Sequence, residues 1–225
     1  MDEYEPADAD AEPASGRERS RPPSRVVREV VETLLAALAI YVGMQLLAPP
    51  YQVEGASMDP ALQNGERLLL NRPVYLHFDL NDLLNLLPGQ DRAGEWIVYP
   101  FHAPERGDIV VLHPPGADDG KPYIKRVIGL PGDRVAFDDG YVTINGERLD
   151  EPYLDGPITD CDQASHCQET VPEGAVYVLG DNRDNSADSR VFGPVAIDRI
   201  IGKAWFANWP LDAFGLIPGA EYPDE

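Results

Sequence analysis

Lysine is scarce in this chain. Only Lys121, Lys125 and Lys203 occur among 225 residues, so any role that demands a lysine has three candidates. Basic residues as a group are also few, 18 against 39 acidic ones, and the formal net charge is −21. That balance argues against a nucleic-acid partner, which needs a basic face to displace phosphate counterions. The two cysteines, Cys161 and Cys167, are too few for a four-thiolate zinc site or a multi-bridge disulfide scaffold. No repeat recurs at periods of 20–50 residues, which removes solenoids and propellers. Collagen, coiled coil and wholesale disorder fail on composition. What remains is a length suited to one medium domain, or one domain with a small insertion.

The chain divides into a tail, an apolar run and a body. Residues 1–16 are acidic and rich in Ala, Pro and Asp, with no apolar periodicity, and read as a disordered tail. Arg17, Arg19, Arg21, Arg25 and Arg28 follow, making 1–29 an acidic tail with a basic juxtamembrane segment. From residue 30 to 48 the only charge is Glu32. Nineteen helical residues span roughly 28 Å, close to the hydrocarbon thickness of a bilayer. The apolar residues surround the helix rather than forming one stripe, which disfavours a buried core helix. The run is long and no convincing small-x-small site follows it, which disfavours a cleaved leader. The reading is a transmembrane helix over 30–48, closed by Pro49-Pro50. The arginine cluster before it places the N-terminus in the cytoplasm and residues 49–225 outside.

From Tyr51 onward the pattern is β. Short Val/Ile/Tyr runs alternate with Gly, Pro, Asp and Asn, and no helices alternate with them. This predicts an antiparallel β-sandwich or partly closed barrel rather than a parallel α/β sheet. Asp139-Gly140 and Asn145-Gly146 mark two tight hairpin turns. Residues 74–104 read as an extra flap, with Leu80, Leu83, Leu84 and Leu87 at helical spacing. Its Tyr75, Phe78, Trp96, Tyr99 and Phe101 suit either a membrane-facing patch or a flap packed on the core.

Two residues carry the candidate chemistry. Ser57 lies in a turn between Gly55 and Pro60. Locally it reads as a turn-capping serine or as a nucleophile in need of a base. The four histidines, His77, His102, His113 and His166, sit in no segment resembling a site and read as structural or surface groups. Lys125 interrupts the apolar strand Tyr123–Gly129, on the opposite face from Arg126, so one of these two charges is expected to point inward. A buried lysine loses hydration and its pKa falls; the bland alternative is an ion pair. The polar loop 180–190 lacks the central glycine and closing glutamate of a calcium loop. It reads instead as a hydrogen-bonded scaffold in which Asp188 pairs with Arg190 or Arg183. No metal or cofactor is expected.

Four segments appear in one order. They are Ser57-Met58-x-Pro60, Arg106-Gly107-Asp108, Lys125-Arg126-Val127-Ile128-Gly129-Leu130-Pro131-Gly132-Asp133, and Gly180-Asp181-Asn182-Arg183 through Ser186-x-Asp188-Ser189-Arg190. Together, downstream of one anchor, they resemble bacterial type I signal peptidase over most of residues 30–205. The resemblance implies a Ser–Lys dyad, with Ser57 as nucleophile and Lys125 as general base. Ser186 would orient the Lys125 amine, and Asp188 with Arg190 would hold the loop. Substrates would be exported preproteins cut after small residues at −1 and −3, bound as an extended strand beside residues 51–57 and 123–125. Gly55, Met58 and Ile124 are the expected substrate contacts. Residues 131–178 would be the family's variable cap, and the cap cysteines, in an oxidising location, are expected to pair.

Some positions depart from the family pattern. Gly55 stands where some members carry a hydroxyl that serves the oxyanion, Ala61 replaces a usual Thr, and Gly65-Glu66 to Arg72 replaces a Gly-Asp to Lys element. Two rival readings stay open on sequence. One is a self-cleaving peptidase of the SOS-repressor type, against which the anchor and the lack of a DNA-binding domain speak. The other is a catalytically inert, membrane-anchored β-module that binds extended peptides.

Overall fold

The computed structural model describes residues 25–86, 93–94, 96–116, 120–154, 159, 161, 164–220 and 222. The acidic tail and Leu87 lie outside these. Two units are distinguished, residues 1–41 and 42–225. Helix α1 runs Arg25–Leu47, with none of its residues buried. Over the described residues it is already helical before the expected span, where Arg25 and Arg28 pair with Glu29 and Glu32 at 3.1 and 2.7 Å, one turn on. Pro49 and Pro50 cannot continue it.

In the second unit, β1 (Pro50–Gln52) and β2 (Arg67–Asn71) pair antiparallel. The flap follows, with β3 (Phe78–Asp79), α2 (Leu80–Asn85) and β4 (Ile97–Val98). Asp79 caps α2 by accepting a hydrogen bond from the Asn81 N–H. Next come β5 (Ile109–Leu112) and β6 (Tyr123–Gly129). Strands β7 (Arg134–Asp138), β8 (Tyr141–Ile144), β9 (Glu147–Arg148) and β10 (Gln168–Thr170) form a separate four-stranded sheet, the cap. The chain returns through β11 (Ala175–Leu179), short α3 (Ser189–Phe192), β12 (Val195–Ala196), β13 (Ile200–Trp209) and β14 (Gly215–Leu216).

The large sheet is antiparallel throughout, in the order β1-β2-β13-β5-β6-β11-β12, with β14 on β13. Register shifts along β13 and in β11 against β6 mark the irregularities that bend strands and increase twist, curling the sheet into a half-barrel. The two hairpin turns form where expected. Asp139 and Gly140 have φ of 49° and 80°, and Asn145 and Gly146 have 55° and 91°, as a two-residue turn of that hand requires. The cap sheet is smaller than the 131–178 segment, because the Ala175–Leu179 stretch belongs to the large sheet.

One expectation needs correction. Strand β6 does not bury only one of its two charges. Lys125 is 3 % exposed and Arg126 2 % exposed. The reason is that the sheet is covered on both faces, as the fully buried runs of β5 and β11 also show. Val53, Leu68, Ile109, Val111 and Ile124 pack in one cluster, while Val110, Leu112, Val127, Val176 and Val178 pack in another.

Cys161 and Cys167 are joined by a disulfide, with Cα atoms 5.5 Å apart. Closing so short a loop limits the entropy the bridge removes from the unfolded chain to about 2 kcal/mol. Replacing both cysteines with serine should therefore lower unfolding stability by about 2 kcal/mol in a urea titration. A loss near zero would show that the loop is held by its other contacts.

Candidate active site

The turn after β1 presents Ser57, and β6 presents Lys125. The Lys125 Nζ donates to Ser57 Oγ at 2.8 Å and to the Ile124 carbonyl at 2.8 Å. It also lies 5.4 Å from the centre of the Tyr123 ring. The contact spans 68 positions of sequence. Strand pairing achieves it, because β5 holds Lys125 in register opposite Val110 in the middle of the sheet.

Burial sets the electrostatics of the amine. It drives the Lys125 pKa down from 10.5 to about 8, while Asp188 and Asp181 pull it upward. Each of these acids already has an arginine. Asp181 accepts from Arg126 Nε at 2.8 Å and from its terminal nitrogen at 2.6 Å. Asp188 accepts from Arg190 Nε and terminal nitrogen, both at 2.9 Å. Pairing offsets the negative field at Lys125, so desolvation prevails. At a pKa near 8, about a tenth of the amine is neutral at pH 7, against one in a few thousand for an ordinary lysine.

The 180–190 loop supports the turn that carries Ser57. The Asn182 N–H donates to the Ser57 carbonyl at 3.1 Å, and its side-chain amide donates to the Ala56 carbonyl at 3.0 Å. Gly180 lies so close beneath that a methyl there would collide with the Ser57 carbonyl oxygen and with Ser186 Oγ. The Gly180 N–H donates to Asp188 at 3.1 Å, and Asp188 also caps α3. Arg190 reaches back to the Arg183 carbonyl at 2.6 Å. Of the two partners considered for Asp188, the structure selects Arg190; Arg183 pairs with Glu151 of the cap and bonds Thr159.

A groove of about 520 Å³ runs beside the pair. Tyr51, Gln52 and Glu54 form one wall, Pro122, Tyr123 and Ile124 the other, and Ser57, Lys125 and Ala187 lie along it. Both walls offer extended backbone. Strand β1 is at the sheet edge, and β11 pairs with β6 only from Arg126 onward.

Three expected contacts come out differently. Met58 is fully buried in the core with Val53 and Leu62 and does not line the groove. Its apolar side chain was packed inward by the same turn that turns Ser57 outward. Gly55 is exposed outside the groove lining, at φ +86° with its N–H bonded to Asn64. Ser186 makes no hydrogen bond to Lys125. Its Oγ is buried against Gly180 and, among the described residues, finds no partner. Ile124 lines the groove. Sequence reasoning gave no role to Asn182, Gly180 or Glu151. Asn182 and Gly180 stood inside a recognised motif, but Glu151 carried no local signal.

None of the four histidines lines the groove. His102, Glu105 and Asp108 bring one ligand atom each within 4.8 Å of one another. Asp108 there is already engaged by Lys203 and by the Tyr75 hydroxyl.

Gly180→Ala should push the Ser57 turn away from Lys125. Misplacement of about 1 Å costs roughly 100-fold in rate, so any reaction the pair supports should slow by about that factor while circular dichroism is unchanged. Arg190→Gln should expose Lys125 to an unpaired Asp188 and shift the acid limb of the pH–activity profile to higher pH. An unmoved limb would show that the ion pair does not tune the amine.

The family described as signal peptidase, peptidase S26, matches residues 26–209. Signal peptidase IB of Staphylococcus aureus (strain COL) is 31% identical over 203 residues, covering 84% of this chain and 92% of that protein. Signal peptidase I of Bacillus caldolyticus is 38% identical over 176 residues, covering 74% and 82%. A solved signal peptidase I from Enterococcus faecalis V583 is 38% identical, covers 44% of this chain and 95% of its own, and has a TM-score of 0.39. On the extent of the family match and of the two curated relatives, the chain belongs to the signal peptidase family, peptidase S26.

Proposed function

We propose that this chain is a membrane-bound serine endopeptidase that removes signal peptides from exported preproteins, with Ser57 as nucleophile and Lys125 as general base. The observation that carries the reading is the 2.8 Å contact between the Ser57 hydroxyl and the amine of a lysine that is 3 % exposed. In the reactive state the amine is neutral and the Ser57 O–H donates to it. Oγ attacks the scissile carbonyl carbon as Lys125 takes the proton. The Ser57 backbone N–H serves the oxyanion, and Gly55 supplies no side-chain donor. Lys125 returns the proton to the leaving amine, releasing the mature chain and leaving an acyl-enzyme. A water activated by Lys125 then hydrolyses the ester, freeing the signal peptide and regenerating Ser57.

The peptide adds as a strand between residues 51–54 and 122–124. Alternate side chains then face the groove walls, which suits small residues at −1 and −3. Helix α1 is 23 residues long, about 34 Å, enough to cross a bilayer. The arginines before it support an N-terminus in the cytoplasm and a catalytic domain outside, where emerging signal-peptide ends are met. The inert-module reading does not account for a buried lysine placed against the one serine on the groove. The acidic body supports no nucleic-acid partner.

Ser57→Ala and Lys125→Met should each abolish preprotein cleavage by the full chain in detergent. Full activity in either variant would refute the assignment. Lys125→Met should also stabilise the fold. The folded-state pKa lies below the unfolded one, so the folded protein binds fewer protons between about pH 8 and 10.5. Its burial cost is therefore complete below pH 8 and disappears as pH rises toward 10.5. At pH 7 the methionine variant should gain ~1–3 kcal/mol in denaturant unfolding.

The kcat/KM of the native protein should fall as pH drops through 8, approaching roughly tenfold per pH unit at lower pH. A profile flat from neutral to pH 5 would contradict a lysine base.

A further inference from the structure

The Arg106-Gly107-Asp108 turn takes no part in the mechanism above, yet its glycine has a close neighbour. Gly107 holds φ +93°, and a methyl group there would strike the carbonyl oxygen of Ala220 and crowd the Tyr222 ring. The segment 217–222 therefore crosses directly over this turn. At its start Ile217 packs with Ile109 and Ile124 of the large sheet. At its other end Tyr222 packs on the cluster that joins Ile128 and Leu179 of the large sheet to Val135 and Val142 of the cap.

The crossing ends in a short line of hydrogen bonds. Tyr222 and Tyr153 bring their hydroxyls to 3.0 Å, and Tyr153 donates to Glu151 Oε1 at 2.6 Å. The Tyr153 proton is committed to the carboxylate, so Tyr222 is the donor between the two hydroxyls. Burial pushes both phenols up, Tyr222 to about 12, so both stay protonated over the pH range of the proposed catalysis.

Tyr153 thereby meets two arginines at once. The Arg126 guanidinium lies 4.2 Å over its ring, and its hydroxyl holds the Glu151 carboxylate, which accepts from Arg183 at 3.1 Å. These arginines lead to the two halves of the site. Arg126 follows Lys125 on β6, holds Asp181 and donates to the Gly107 carbonyl at 3.0 Å. Arg183 donates from Nε to the Gly180 carbonyl at 3.0 Å, fixing the turn from which Asn182 reaches the Ser57 and Ala56 carbonyls. A tyrosine placed for packing alone would use its ring and leave its hydroxyl to solvent.

We propose that Tyr153 and Tyr222 form a clasp between the cap and the segment 217–222, and that this clasp positions Ser57 and Lys125 against each other through Arg183 and Arg126. Both tyrosines are positioning residues, and neither lines the groove. This inference rests on the Ser–Lys reading of the site.

The test is steady-state cleavage of a preprotein-derived peptide by the full chain in detergent, with a urea unfolding curve for each variant. Tyr153→Phe keeps the ring under Arg126 and removes only the hydroxyl; Tyr222→Phe removes the donor behind it. Drift of the Ser57 turn by a few tenths of an ångström should lower kcat about tenfold in Tyr153→Phe. KM should stay at the native value, and Tyr222→Phe should shift kcat the same way by less. The double variant should be no slower than Tyr153→Phe alone, because both changes break one line of bonds. A native kcat in Tyr153→Phe would overturn the clasp. So would a kcat that falls only as the folded fraction falls, or losses that multiply in the double variant, since either marks ordinary packing. Ser57→Ala is assayed alongside. Cleavage retained there sinks the peptidase reading, whereas a silent Ser57→Ala beside native kcat in the tyrosine variants sinks the clasp alone.

Discussion

A primary amine held out of water against one hydroxyl is the contact on which this protein is organised. Lys125 is a poor base in water because it is almost wholly protonated at neutral pH. Here burial brings its pKa to about 8. The rest of the domain can be understood as the means of holding that amine dry and that hydroxyl beside it. Strand β6 lies in the middle of a sheet covered on both faces, which supplies the desolvation. The 180–190 loop grips the backbone of the Ser57 turn through Asn182, and Gly180 leaves room for the two to meet.

The buried arginines solve a second problem. A loop dense in carboxylates lies next to the lysine that the proposed mechanism uses as a neutral base, and unpaired carboxylates would hold the proton on. Arg126 on Asp181 and Arg190 on Asp188 remove two of those charges in pairs, while Arg183 of the loop pairs with Glu151 of the cap. Buried ion pairs contribute little net stability, because desolvation offsets their attraction. Their value here lies in position and field. The Arg126 guanidinium stacks 4.2 Å over the Tyr153 ring, and Arg183 joins the loop to the cap. The cap thus braces the 180–190 loop from outside the large sheet.

Much of this was legible in the sequence, and the parts that were not have physical reasons. The turns at Asp139-Gly140 and Asn145-Gly146 were readable because positive φ restricts which residues fit. Antiparallel architecture followed from short apolar runs between turn residues. Ser57 and Lys125 were ambiguous one at a time, since a turn serine and a strand lysine each have an ordinary explanation. Only the order of four motifs singled them out, and their contact joins segments 68 residues apart. Met58 misled because adjacency to Ser57 is not adjacency to the groove: the next side chain on a tight turn faces the core. Strand β6 misled because alternation identifies two faces but does not say that both are covered. Asn182 and Glu151 act through long-range contacts, which no local pattern encodes.

The most direct test of the account is the titration of Lys125 itself. With lysine isotopically labelled in the side chain, nuclear magnetic resonance of the detergent-solubilised protein can follow three lysine signals, with Lys125→Met assigning the one of interest. The account predicts that the Lys125 signal titrates near pH 8. A midpoint near 10.5, the value of a lysine in water, would contradict it, because no appreciable neutral amine would then stand beside Ser57.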